Sequence, residues 1–152
     1  MSAQLQAAQA ELIPDVEREI DWFVTPGERA FVGGAAIGAA AGALLGAFFS
    51  GMIEVLKGEA HKEGESLGKW IVERLRSITS GKEGTDQTEV ERDATKVQAN
   101  LQGLDHKQVM DLCDRVEGEL RSGFMEVMPE QRATGLAARV RHVSVTVIYQ
   151  VG

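Results

Sequence analysis

Three histidines and one cysteine are the side chains here best suited to general-base, nucleophilic or soft-metal chemistry. His61, His106 and His142 lie far apart, and none stands in a metal-ligand spacing such as HExxH, which would put two imidazoles on one helical face. Cys113 belongs to an apolar stripe, and nothing in the pattern around it activates a thiolate. The glycine-rich run VGGAAIGAAAGALLGAFFSG, residues 32–51, is no phosphate loop: no strand pattern precedes it and no Gly-Lys-Ser/Thr follows. The acids of the N-terminal segment read as a solvated helix face. No catalytic constellation emerges, so the expectation is a protein that is not an enzyme and uses no cofactor and no metal.

The same run dominates what must be built around these residues. From 30 to 53 the chain holds 24 uncharged residues between Arg29 and Glu54. At about 1.5 Å per residue, a helix of that length covers a ~30 Å hydrocarbon core with some tilt. Thr25, Pro26 and Glu28 read as a capping box that starts it, and no further proline occurs before Pro129. Eight of the 24 are Ala and six are Gly, which lowers its hydrophobicity below that of a Leu-rich span. Gly costs a helix about 1 kcal/mol in water, whereas in lipid the backbone must bond internally whatever the side chain. A helix buried in a soluble bundle is the competing reading.

Ala30, Gly34, Gly38, Gly42, Gly46 and Ser50 form a small-xxx-small series along one ridge. Such ridges let two helices meet with their backbones nearly touching. The segment 30–50 resembles the glycine-zipper segments of pore-forming, membrane-penetrating and fusion-peptide sequences. With no second apolar span to supply a partner, the ridge is expected to be a helix–helix interface with another copy. Trp22 and Phe23 before the run, and Trp70 after it, are candidate membrane-interface residues. Lys57, Lys62, Lys69, Arg74 and Arg76 follow the run, against Arg18 and Arg29 before it. The positive-inside rule then puts the N-terminus out and the C-terminal part in the cytoplasm.

Charge and cysteine usage restrict partners and compartment. The net charge is −7, with six acids and two Arg in residues 1–29 and twelve acids and nine bases in residues 82–152. No segment makes a basic patch that would bind nucleic acid directly. One cysteine allows no internal disulfide, which favours a reducing compartment. The N-terminal MSAQLQAAQAEL lacks the basic region of a secretory signal peptide.

The remainder reads as helices and one strand. Leu5, Ala8 and Leu12 share a face, and Pro14 is expected to begin a second turn carrying Val16, Ile20 and Phe23. Leu67, Trp70, Ile71, Leu75 and Ile78 make an amphipathic helix ending near Gly81, followed by the linker GKEGTDQT. Val90, Ala94, Val97, Leu101 and Leu104 keep a seam spacing, and Asp105 caps a helix with Val109, Leu112, Cys113, Val116 and Leu120 inside. A helix from Pro129 to about Arg141 turns Ala133, Leu136, Ala137 and Val140 inward. VSVTVIYQV then alternates, which predicts a half-buried strand with Val143, Val145, Val147 and Tyr149 on one face. Its partner would be Phe124–Met128 or another subunit.

The sequence thus predicts a mainly α fold: a long Gly/Ala-rich membrane-type helix plus a small helical domain with a minor C-terminal β element. The expected divisions are an acidic helical segment (1–25), the glycine-zipper transmembrane helix (26–58), an amphipathic helix (59–81) and a small cytoplasmic domain (82–152). The leading functional expectation is a self-associating single-span membrane protein that forms a channel, pore or membrane-disrupting assembly, with the lipid bilayer and its own copies as partners. A virion or structural protein that enters a host membrane during genome delivery would carry the same signature. So would a soluble helical module that binds protein partners and buries the Ala/Gly helix.

Overall fold

The structure is a computed structural model that describes residues 3–24, 32–58 and 66–150. Six α-helices account for nearly all of them: α1 (Ala3–Glu19), α2 (Gly34–Lys57), α3 (Leu67–Thr79), α4 (Gln87–Leu101), α5 (His106–Phe124) and α6 (Glu130–Gln150). The sequence marks their ends chemically. Ser66, Asp86 and Asp105 each accept a hydrogen bond from the third backbone N–H of the helix that follows. At α5 the Gln108 side chain answers back to the Asp105 N–H, completing a capping box. Gly58 closes α2 at φ 70°, a left-handed position that glycine takes without strain.

α2 is the axis of the bundle and packs against each of the other five helices. Its neighbours are amphipathic and present single stripes, such as Leu67, Ile71, Leu75 and Ile78 of α3, or Val90, Ala94, Val97 and Leu101 of α4. In α2 the buried residues run almost without a break from Ala40 to Leu45 and on through Ala47, Phe48, Phe49, Gly51 and Met52. A helix apolar on every side has to be enclosed on every side, by protein or by lipid. Here the sheath of amphipathic helices encloses the stretch from Ala40 to Met52 and leaves Gly34 and Ala35 at one end and Lys57 at the other exposed. α2 is nevertheless the one described helix long and apolar enough to cross a bilayer.

The C-terminal strand expected from VSVTVIYQV is not formed: α6 runs unbroken through these residues, and no strand occurs among the described residues. The reason lies in the burial pattern. Val140, Val143, Ser144, Val147 and Ile148 are buried, and their spacing makes one helical stripe. Val145 is only half-buried and Tyr149 is 55% exposed, so Val143, Val145, Val147 and Tyr149 do not share a face. β-Branched residues favour strands only weakly, and tertiary packing overrides that preference. The proposed partner Phe124–Met128 is instead the end of α5 and a turn, closed by Met128 N–H donating to the Phe124 carbonyl at 2.9 Å.

Two smaller expectations also change. Pro14 stands inside a continuous α1 rather than opening a second element, and a 3₁₀ turn at Ile20–Trp22 finishes the helix. The capping box at Thr25, Pro26 and Glu28 lies outside the described residues, as does His61.

Candidate functional site: the small-residue ridge of the central helix

The ridge is built by α2 alone, and the structure shows what faces it within the same chain. Ala30 lies outside the described residues. Gly34 is exposed with open space beside it. Gly38 is approached by α1, where the Gln9 amide donates to the Gly38 carbonyl at 2.7 Å. Gly42 is buried against the start of α4: a Cβ there would lie 3.0 Å from Gln87 Nε2 and 3.1 Å from Thr85 Cγ2. The Thr85 hydroxyl donates to the Ala39 carbonyl. At Gly46 a Cβ would meet Val90 Cγ2 at 3.0 Å. Ser50 is half-buried and, with Ala43 and Gly46, floors a cavity of about 170 Å³ between α2, α3 and α4.

Two features of this contact are chemical. The partners of the ridge are side chains rather than a second backbone, and around Gly38 and Gly42 they are polar. With no Cβ in the way, amide and hydroxyl donors reach carbonyls in the body of α2. Gln87 Oε1 is sealed from solvent there and accepts no hydrogen bond among the described residues, which carries a desolvation cost.

The predicted membrane-interface residues separate. Trp22 is 40% exposed, whereas Phe23 is buried edge-on against Phe124, with ring centroids 6.1 Å apart. Trp70 is half-buried on the wall of the cavity, and the Arg74 guanidinium lies 5.2 Å from its ring centroid. Cys113 is fully enclosed in the core, where burial raises its thiol above the ordinary value and Arg141 opposes that more weakly.

The N-terminal acids are not simply a solvated face. Asp15 and Glu19 are 5% and 6% exposed and lie one turn apart on the side of α1 that packs on α6. Arg132 of α6 holds Glu19 with both Nε and Nη2, at 3.2 and 2.6 Å. Arg139 donates to Asp15 at 3.3 Å, and Arg18 of α1 reaches the same carboxylate. The i, i+4 spacing of Asp15 and Glu19 is the one signal the sequence offers, because pairing across 113 residues leaves no local trace. Loss of one partner should be asymmetric. Arg132→Ala leaves the buried Glu19 carboxylate to the longer contact with Arg18 Nε at 3.8 Å and should cost about 2 kcal/mol, less than a fully enclosed pair because both guanidiniums are partly in water. Glu19→Gln leaves a half-exposed Arg132 that rehydrates, so it should cost clearly less. Urea unfolding of the two variants compares them directly, and equal losses would show that Glu19 is not sealed.

One close backbone approach is not announced by the sequence. Gly68 of α3 and Gly123 of α5 touch directly: a Cβ on Gly68 would lie 2.6 Å from both Cα and N of Gly123. Isolated glycines inside two amphipathic patterns are its only sign. Among the described residues no group of three or more His, Cys, Asp or Glu could hold a metal ion. Comparisons with protein-family models, curated proteins and solved structures give no match to this chain.

Proposed function

We propose that this protein is a helical bundle that keeps a bilayer-length helix enclosed in water and delivers it to a membrane when the sheath opens. Once released, α2 spans the bilayer and associates with other copies through Gly38, Gly42, Gly46 and Ser50, forming a pore or membrane-disrupting assembly. The observation that carries this reading is the pairing of an apolar core helix with polar, incompletely satisfied contacts on its small-residue ridge. In lipid the same ridge can meet a second backbone, and close packing there takes the place of those contacts. Insertion would set the N-terminal segment on one side and α3–α6 on the cytoplasmic side, by the excess of Lys and Arg after α2.

A second reading is favoured by the enclosure itself. With Leu45, Phe48, Phe49 and Met52 all at 0% exposure, the bundle encloses the middle of α2, as a soluble interaction module would.

A reversible lock distinguishes them. Cysteines at 46 and 90, with Cys113→Ala to remove the native thiol, place two sulfurs across the Gly46–Val90 contact within bridging reach. The protein is then added to dye-loaded vesicles containing anionic lipid. The expected result is no leakage from the oxidised protein and leakage on reduction that stays below that of the unmodified chain, because the cysteine at 46 adds a side chain to the ridge. Equal leakage from both would mean that α2 need not leave α4. Silence from the reduced protein and from the unmodified chain would leave the soluble module.

A further inference from the structure

The helices that enclose α2 do not grip it equally. α4 buries Val90, Ala94, Val97 and Leu101, a stripe with a single leucine and no aromatic ring. α3 buries five Leu, Ile and Val side chains, and α5 adds Phe124 to a longer stripe. The stripe of α1 is as short as that of α4, but the chain continues into buried Ile20 and Phe23, and Asp15 and Glu19 tie α1 to α6 by ion pairs. α4 packs chiefly on α2, with a lesser contact on α6 where the Gln98 amide donates to the Val147 carbonyl at 3.4 Å. Apolar area buried sets most of what holds a helix in place, so α4 is the most weakly held part of the sheath.

Its seat is also incompletely filled. The cavity of about 170 Å³ floored by Ala43, Gly46 and Ser50 lies between α4 and the surfaces of α2 and α3. Three buried side-chain atoms have no hydrogen-bond partner among the described residues, and two of them belong to this seam. Gln87 Oε1 is in the first turn of α4, and Arg74 Nε is on the cavity wall, with the nearest Glu83 oxygen 4.0 Å away. Seating α4 keeps both from water, and lifting it returns their hydration, which lowers the cost of opening. The chain can turn at either end of α4. Residues 80–84 before it are exposed, with Gly81 at φ 79°, and Gly103 after it stands in an exposed turn with open space beside it.

From this arrangement we infer that α4 is a lid. It swings off α2 about Gly81 and Gly103 while α1, α3, α5 and α6 stay packed on α2 and on one another. Opening uncovers Gly42 and Gly46, the part of the ridge that α4 and the residues leading into it cover. The purpose of the lid rests on the delivery mechanism proposed above, whereas its motion takes place in water with no membrane present.

Native-state hydrogen exchange of the intact chain, followed by NMR at several urea concentrations below the unfolding transition, measures that motion. The amides of Ala94 and Val97, corrected for intrinsic rates, should exchange about tenfold faster than those of Leu120 and Val140. Their rates should also depend less steeply on urea, because lifting one helix exposes less surface than global unfolding. Val116→Ala supplies a second arm. Val116 packs beside Gly51 with Leu67 of α3, so its truncation weakens the closed and lid-open forms alike against the unfolded chain. Exchange at Leu120 and Val140 should then accelerate while Ala94 and Val97 keep the parental rate. A common rate and urea slope for all four amides would overturn the lid, as would equal acceleration of all four by Val116→Ala. The urea series on the parent chain keeps the test decisive even where the variant does not fold. Because these rates are read without lipid, a failed lid and a failed delivery mechanism show in different measurements.

Discussion

Gly68→Ala and Gly123→Ala are expected to destabilise the protein by about 3 kcal/mol each, a large cost for a single methyl group. A Cβ on Gly68 falls 2.6 Å from two backbone atoms of Gly123 and closer still to the Glu119 carbonyl oxygen. A Cβ on Gly123 meets the backbone of Gly68 in the same way. Backbone cannot rotate aside as a flexible side chain does, so α3 and α5 must separate. Separation opens the seam formed by Leu67, Ile71 and Leu75 against Val116, Leu120 and Phe124, all of them at most 1% exposed. For a chain of this length the expected loss is roughly 6–12 °C in Tm. Gly118, in the same helix, has nothing within 4 Å of the place a methyl group would take. Gly118→Ala should therefore stabilise α5 by about 0.5–1 kcal/mol, because alanine loses less backbone freedom on folding. Thermal melts of the three variants test the contact, and similar Tm values would show that α3 and α5 are not in backbone contact.

The contrast between these glycines and those of α2 explains what was legible in the sequence. The ridge from Gly34 to Ser50 is conspicuous because its repeat lies within one helix. Its partners in the folded chain, Gln9, Thr85, Gln87 and Val90, carry no repeat that announces them. Gly68 and Gly123 each look like a solitary helix-weakening residue, and only their juxtaposition gives them meaning. Asp15 and Glu19 follow the same rule: acids on an amphipathic helix are normally solvated, and two of the arginines that hold them are on the last helix. Local signals served well where the cause is local. Asp105 and Gln108 cap α5 as their spacing demands, and the stripes of α1, α3, α4 and α5 point inward as their 3.6 period requires. The extent of the apolar run was equally plain, because charge is absent from it. Whether protein or lipid encloses such a helix depends on how much amphipathic surface the other helices can bring to it, a property of the whole chain.

Residues 143–149 mislead for a different reason, and they give the second large effect. The stretch VSVTVIY satisfies a period of two through its valines, yet Val143, Ser144, Val147 and Ile148 satisfy the helical period equally well. Ser144 decides between them: as a polar residue it looks solvent-facing, but it is fully buried and its hydroxyl has no hydrogen-bond partner among the described residues. In a strand, residues 147 and 149 would lie on one face and share a fate. In α6 they lie about 200° apart, with Val147 at 3% exposure and Tyr149 at 55%. Val147→Asp should accordingly cost about 4 kcal/mol or more, since the carboxylate enters the core without a partner. Tyr149→Asp should change stability by no more than about 0.5 kcal/mol. Equal losses in chemical unfolding would restore the strand. The pair also bears on membrane delivery, because α6 packs on α1, α2, α4 and α5 together. If release of α2 is what permeabilises vesicles, Val147→Asp should leak at a lower protein concentration than the parent while Tyr149→Asp matches it. A loosened bundle that leaks no more readily would separate instability from membrane action and count against the stored-helix mechanism.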